Sequence, residues 1–144
     1  MNYRFFWAIF TMSLFLMACS TTTNTNPTQI IGTDEWHLTQ LNGTVITTPV
    51  VTMQLTDTTI GGQGFCNSYR GPLIIAGNTI TLDNLSSTRK ACMEDGVMQQ
   101  EQAYFAALTA TTHVALSGTQ LQLLDASSRD NPMRLIYVQH EAIL

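Results

Sequence analysis

The residues of this sequence able to do chemistry gather in two short blocks. Gly61 to Gly71 reads GGQGFCNSYRG and sets Cys66, Asn67, Tyr69 and Arg70 in a frame of glycines. Ser87 to Cys92 reads STRKAC and supplies Arg89, Lys90 and Cys92. One available chemistry is nucleophilic. Basic neighbours lower a thiol pKa, so Cys66 near Arg70, or Cys92 near Arg89 and Lys90, would be an activated thiol. It would draw on His37, His113 or His140 as its base. No spacing supports such a triad, and the histidines lack metal-ligand spacing, so neither a metal nor a cofactor is expected. The other chemistry is a cross-link between Cys66 and Cys92. Asn67, Tyr69, Arg70, Arg89 and Lys90 also make a candidate contact patch. It is a local positive area able to meet lipopolysaccharide, phospholipid head groups or an acidic partner segment. The plainer reading of Asn67 and Tyr69 is a turn held by the Asn side chain with an aromatic packed on the sheet.

The choice between thiol and cross-link depends on compartment, and the start of the chain addresses that. Arg4 gives a short positive region, and Phe5 to Met17, FFWAIFTMSLFLM, is an apolar run too short for a comfortable membrane span. This is the pattern of a secretory signal. Leu16-Met17-Ala18-Cys19 resembles a bacterial lipobox, which implies cleavage before Cys19 and acylation of that residue. Several acyl chains would hold the protein at a membrane where a single chain binds only marginally. Ser20 after the cysteine resembles the outer-membrane address of enterobacterial-type lipoproteins. With Cys19 assigned to lipid, an even pair remains in an oxidising compartment, which favours the Cys66–Cys92 disulfide. Closing that loop contributes roughly 3 to 4 kcal/mol by chain entropy. The expected organisation is a signal peptide over 1–18, an acylated Thr/Asn-rich tether over 19–33, a domain over 34–138 and a tail over 139–144.

Without its leader the chain has roughly 110 to 125 residues, enough for one modest core. Charged residues are only 11%, and the net charge is −4. With no basic face, nucleic acid is not an expected partner. The elements read as strands of alternating polarity separated by turns. Glu35–Leu41 precedes an Asn42-Gly43 turn, with Trp36, Leu38 and Gln40 on one side and His37, Thr39 and Leu41 on the other. Val51–Thr56 faces Val51, Met53 and Leu55 one way. Gly71-Pro72 reads as a turn. Leu73–Ala76 and Thr79–Leu82 flank Gly77-Asn78. His113–Ser117 and Gln120–Leu124 flank Gly118-Thr119, with Leu121 and Leu123 inward. Asp125 to Pro132 reads as a polar loop, and Met133–Val138 closes the sheet. One helix is expected, opened by Glu94-Asp95 and running to about Thr109, with Val97, Glu101, Tyr104, Phe105 and Leu108 on its core face. The class is α+β, mainly antiparallel β: a curled sheet or cracked barrel of seven or eight strands with one helix.

Trp36-His37-Leu38, Leu41-Asn42-Gly43, Cys66-Asn67-Ser68-Tyr69-Arg70-Gly71, Thr88-Arg89-Lys90-Ala91-Cys92, and Glu101 with Tyr104, Phe105 and Leu108, in this order and at this spacing, resemble the META domain. This is the HslJ-like family of heat-shock lipoproteins, and the resemblance covers about residues 34 to 138. Phe65 stands where the family has a small residue before its first cysteine, and Lys90 where it has Met before its second. The resemblance implies a small curved β-sheet or barrel with a helix in an envelope lipoprotein of no established catalytic activity. Relatives are associated with heat shock, novobiocin tolerance and, in some parasites, motility and virulence. The implied fold is also similar to that of secretin pilotins, whose cracked barrel takes up an acyl chain and guides a partner. The expected function is therefore a non-enzymatic envelope lipoprotein that binds a protein partner or hydrophobic ligand. The alternatives are a pilotin-like assembly chaperone and a thiol-dependent redox or hydrolytic enzyme using Cys66 or Cys92.

Overall fold

The computed structural model describes residues 30–32, 34–125 and 134–140. The expected signal peptide 1–18, Cys19 and the tether as far as residue 29 lie outside the described residues, as do residue 33, residues 126–133, which include most of the expected polar loop and Met133 of the expected last strand, and residues 141–144. The described elements are β1 (Trp36–Leu41), β2 (Thr44–Val45), β3 (Thr52–Leu55), β4 (Thr59–Gln63), β5 (Ser68–Ala76), β6 (Thr79–Leu82), β7 (Ser86–Ser87), α1 (Val97–Thr109), β8 (His113–Ser117), β9 (Gln120–Leu124) and β10 (Arg134–Gln139).

Pairing runs β1–β3–β4–β5–β6–β8–β9–β10 and returns to β1, so eight antiparallel strands close a barrel. The short β2 and β7 attach to β1 and β5. β10 closes the ring along nearly the whole of β1, from Trp36 opposite Gln139 to Leu41 opposite Leu135. The thinnest seam is β6–β8. There one Cα pair, Thr79 with His113, is extended by Ile80 N–H donating to the Thr112 carbonyl and Val114 N–H to that of Asn78.

The alternation that encodes the strands also fills the barrel. An eight-stranded barrel is just wide enough for inward side chains to pack its interior. Val51, Met53 and Leu55 of the β3 segment, Leu121 and Leu123 of β9, and Trp36, Ile60, Leu135 and Tyr137 are all at most 1% exposed. α1 adds Val97, Glu101, Tyr104, Ala107 and Leu108, the buried stripe of an otherwise wet helix. The Asn42-Gly43 turn has both residues at positive φ, as its hairpin geometry requires.

Several local expectations are corrected. β1 carries a bulge between Leu38 and Gln40, because Thr39 has no opposite number on β10. The extra residue reverses the parity, so Leu41 is buried with Trp36 and Leu38. Gly71-Pro72 is not a turn but the middle of β5. Leu73 N–H donates to the Thr58 carbonyl on the β4 side. The ring nitrogen of Pro72 therefore faces the other edge, where the neighbour of β5 changes from β7 to β6 and no ladder donor is needed. α1 begins at Val97, after Gly96 at φ 81°, so Glu94 and Asp95 lie before its first turn and not in it. Asp125, expected in a polar loop, is buried. The domain begins earlier than residue 34: Ile30 is a core residue and Gly32 N–H donates to the Leu55 carbonyl. At the other end β10 reaches Gln139, one residue into the expected tail.

Gly62 shows how tightly β3 and β4 are drawn together. A Cβ there would collide with the Thr52 carbonyl, a backbone atom that cannot swing aside, and would press on the Tyr69 hydroxyl. At Gly61 the nearest atom is 3.3 Å away. Gly62→Ala should therefore destabilise the domain by about 3 kcal/mol or more, the range of a core clash, and Gly61→Ala by clearly less. Urea denaturation of the two variants checks this, and equal midpoints would contradict it.

Candidate functional site

The two blocks singled out in the sequence meet at one end of the barrel. Cys66 and Cys92 are joined by a disulfide with Cα atoms 6.1 Å apart. Between β4 and β5 the loop from Gly64 to Asn67 curls around the Glu101 carboxylate, which α1 delivers from the opposite side. Cys66 N–H donates to Glu101 Oε2 at 2.7 Å, Asn67 N–H to Oε1 at 3.0 Å, and the Asn67 side-chain amide to Oε1 at 2.7 Å. A Cβ on Gly64 would lie 2.8 Å from Oε2, so glycine is the residue that lets the loop close around the carboxylate. Asn67 then reaches a third segment. Its Oδ1 accepts from Lys90 N–H at 2.7 Å and from the Thr88 hydroxyl at 2.8 Å. Loop, helix and the 88–92 segment thus converge on two side chains, both at most 4% exposed. The convergence gives a buried carboxylate the fixed donors it needs away from water.

A second polar chain crosses the lumen. Tyr137 on β10 donates its hydroxyl to Tyr104 at 3.0 Å, Tyr104 on α1 donates to Tyr69 at 2.7 Å, and Tyr69 on β5 donates to the Thr52 carbonyl at 3.1 Å. In the eight-membered ring β10 and β5 are opposite one another. The helix hydroxyl therefore bridges the two walls. Tyr69 and Tyr104 also meet edge to face at 5.7 Å, and Phe65 packs on Tyr104 at 6.1 Å. Burial pushes all three phenols above the ordinary tyrosine range. Tyr137 and Tyr69, as charges, push Tyr104 further in the same direction, while the hydrogen bond that Tyr69 accepts from Tyr104 opposes the rise at Tyr69.

Two of the five residues expected to form a contact patch are therefore internal. Asn67 and Tyr69 are buried, and their polar atoms are taken up by the fold. Arg70, Arg89 and Lys90 are exposed. Arg70 stands on β5 between two shallow clefts. One, of about 330 Å³, is lined by Ser68, Ser86, Ser87 and Thr88, and the other, of about 280 Å³, by Gln54, Thr56, Thr59 and Gly61. The histidines do not approach this end of the barrel as a group. His37 on β1 contacts Glu35 through Nε2 at 2.9 Å and stacks on His140 at 4.4 Å, while His113 on β8 contacts Thr112. Among the described residues no group of three His, Cys, Asp or Glu side chains is placed to hold a metal ion. Sequence reasoning missed the role of Glu101. An acid inside an apolar helical stripe was the available signal, because a buried carboxylate demands donors from elsewhere.

Comparison with known proteins places this geometry. No curated protein sequence matches the chain significantly. A protein solved by NMR is similar over 83% of this chain and 99% of its own, with TM-score 0.65 and 20% identity, a likeness of fold alone. A protein from Burkholderia xenovorans, also solved by NMR, is similar over 78% of this chain and 85% of its own, with TM-score 0.58 and 29% identity. The model of the META domain matches residues 28–136, a span that includes the buried Ile30, the Cys66–Cys92 staple, Glu101 and two of the three bridging tyrosines, Tyr69 and Tyr104, and the chain belongs to the META domain family.

Proposed function

We propose that the protein is a non-enzymatic lipoprotein of the cell envelope, anchored through Cys19 in the outer membrane and facing the periplasm. Its barrel is a rigid binding module that meets a partner or lipid through its outer surface and supports the envelope under stress. The observation that carries this reading is the disulfide. It takes up both domain cysteines, and a structural cross-link of this kind belongs to an oxidising compartment. The polar side chains beside it support the same reading. Asn67, Tyr69, Glu101 and Tyr104 are committed to one another inside the barrel, which leaves the exposed cations for outside contacts. The packed interior counts against a pilotin-like uptake of an acyl chain, since Trp36, Met53, Tyr104 and Tyr137 occupy it.

Mass spectrometry of the mature protein tests both halves of the proposal. Under denaturing, non-reducing conditions no free thiol should be found at Cys66 or Cys92. Two free thiols would revive the thiol enzyme. The mature chain should begin at an acylated Cys19, and incorporation of an acyl label should be lost in Cys19→Ala. An unlipidated mature terminus elsewhere would remove the anchor.

A further inference from the structure

The described part of the chain carries twice as many acids as bases. Its bases are Arg70, Arg89, Lys90 and Arg134. Three of these four come from two adjoining segments. Arg70 lies opposite Ser86 across the β5–β7 pair, Thr88 N–H donates to the Ser68 carbonyl, and Arg89 and Lys90 follow directly. Among the described residues none of the three has a carboxylate at salt-bridge distance, although Asp83, Glu94 and Asp95 are close in sequence. The backbone beneath them is fixed from two sides: the Lys90 N–H is held by Asn67 Oδ1, and Cys92 by the disulfide. Arg70 lines the cleft of about 330 Å³ with Ser68, Ser86, Ser87 and Thr88, and Arg89 and Lys90 follow Thr88 directly in the chain. Unpaired cations on a rigid edge beside a row of hydroxyls are the donor set that phosphate oxygens use. Loop cations that served only solubility would not need this bracing.

We propose that the Arg70–Arg89–Lys90 edge, with its serine-lined cleft, docks on the phosphate-bearing head groups of an anionic lipid surface. This deepens the surface-binding reading above and rests on it. The lipid anchor is a separate claim, and the two can be tested apart. A similar solution structure consists of this barrel over 99% of its chain, so a leaderless chain of residues 20–144 is a suitable probe, and it lacks Cys19. It is mixed with vesicles of phosphatidylcholine alone, or with added phosphatidylglycerol, and bound protein is sedimented. Binding is expected only to the anionic vesicles and should weaken as salt is raised. Arg70→Ser/Arg89→Ser/Lys90→Ser should reduce it roughly hundredfold, from the contribution of each basic residue near an anionic surface. Arg134→Ser, a control that removes one positive charge away from this edge at the start of β10, should leave it unchanged, whereas each of Arg70→Ser, Arg89→Ser and Lys90→Ser alone should weaken it severalfold. Circular dichroism confirms that every variant is folded. Absence of binding, or equal loss in the Arg134 control, overturns the proposal. Full competition by inorganic phosphate would assign the edge to free phosphate, and so would also overturn the lipid assignment.

Discussion

Replacing Glu101 with alanine is expected to destabilise the domain by about 3 to 5 kcal/mol, the range for removing one partner of a buried charged network. The size follows from what remains. Cys66 N–H, Asn67 N–H and the Asn67 amide all donate to this carboxylate, and all would be stranded in a site closed to water. Glu101→Gln keeps the volume but returns one oxygen and brings an NH₂ group against donors, so it should recover only part of the loss. Asn67→Ala strands Lys90 N–H on the other side of the hub and should cost about 2 kcal/mol. Because the two side chains share a hydrogen bond, the double variant should lose less than the two single losses together, by about 1 kcal/mol or more. Urea denaturation of the four proteins measures the cycle. Strict additivity would mean that the hub is not a unit.

That hub marks where sequence legibility ends. The hairpins were readable because their signals are local. Gly77-Asn78 and Gly118-Thr119 sit between alternating runs, and β8 and β9 match their expected bounds. Pro72 could not be read as a strand residue, because its tolerance depends on β7 giving way to β6 on one edge, a fact of the folded sheet. The parity of Leu41 depends on Thr39 having no register partner on a strand almost a hundred residues away. At Asn67 the local sequence allows either a turn held by the Asn side chain or a surface contact, and it does not name the partner. The burial of Asn67 is imposed by Glu101, which lies 34 positions further on. The side chains of Arg70, Arg89 and Lys90 keep their surface placement, because the distant contacts at Arg70 and Lys90 are to backbone atoms. Local chemistry therefore identified the right blocks, while long-range pairing decided which of their side chains face inward.

The tyrosine chain makes the second large prediction, and its sign can be worked out. A phenol ionises near pH 10 in an unfolded chain. Tyr69, Tyr104 and Tyr137 are all pushed above that value in the folded barrel, first by burial. Their contribution to stability is complete below pH 10 and is lost as pH rises toward the folded values, because only the unfolded chain then releases the protons. Each tyrosine removes about 1.4 kcal/mol per pH unit in that window, so three remove about 4 kcal/mol per pH unit. A domain of ordinary stability, 5 to 15 kcal/mol, should thus unfold within a few pH units above 10. The sequence has four tyrosines, and the fourth, Tyr3, lies in the expected leader, so in the leaderless chain tyrosinate absorbance reports on these three alone. That absorbance should stay flat through pH 10 and then rise in one step with the loss of β-sheet dichroism. Tyr137→Phe, which removes only the terminal donor, should reduce the slope of stability against pH by about a third. Tyr104→Phe should cost more at neutral pH, since it leaves the Tyr137 hydroxyl without its acceptor and takes a donor from Tyr69. Tyrosinate appearing near pH 10 in a still-folded protein would show the three hydroxyls to be open to water, and the bridge across the lumen would be lost as an explanation of how the helix is held in the barrel.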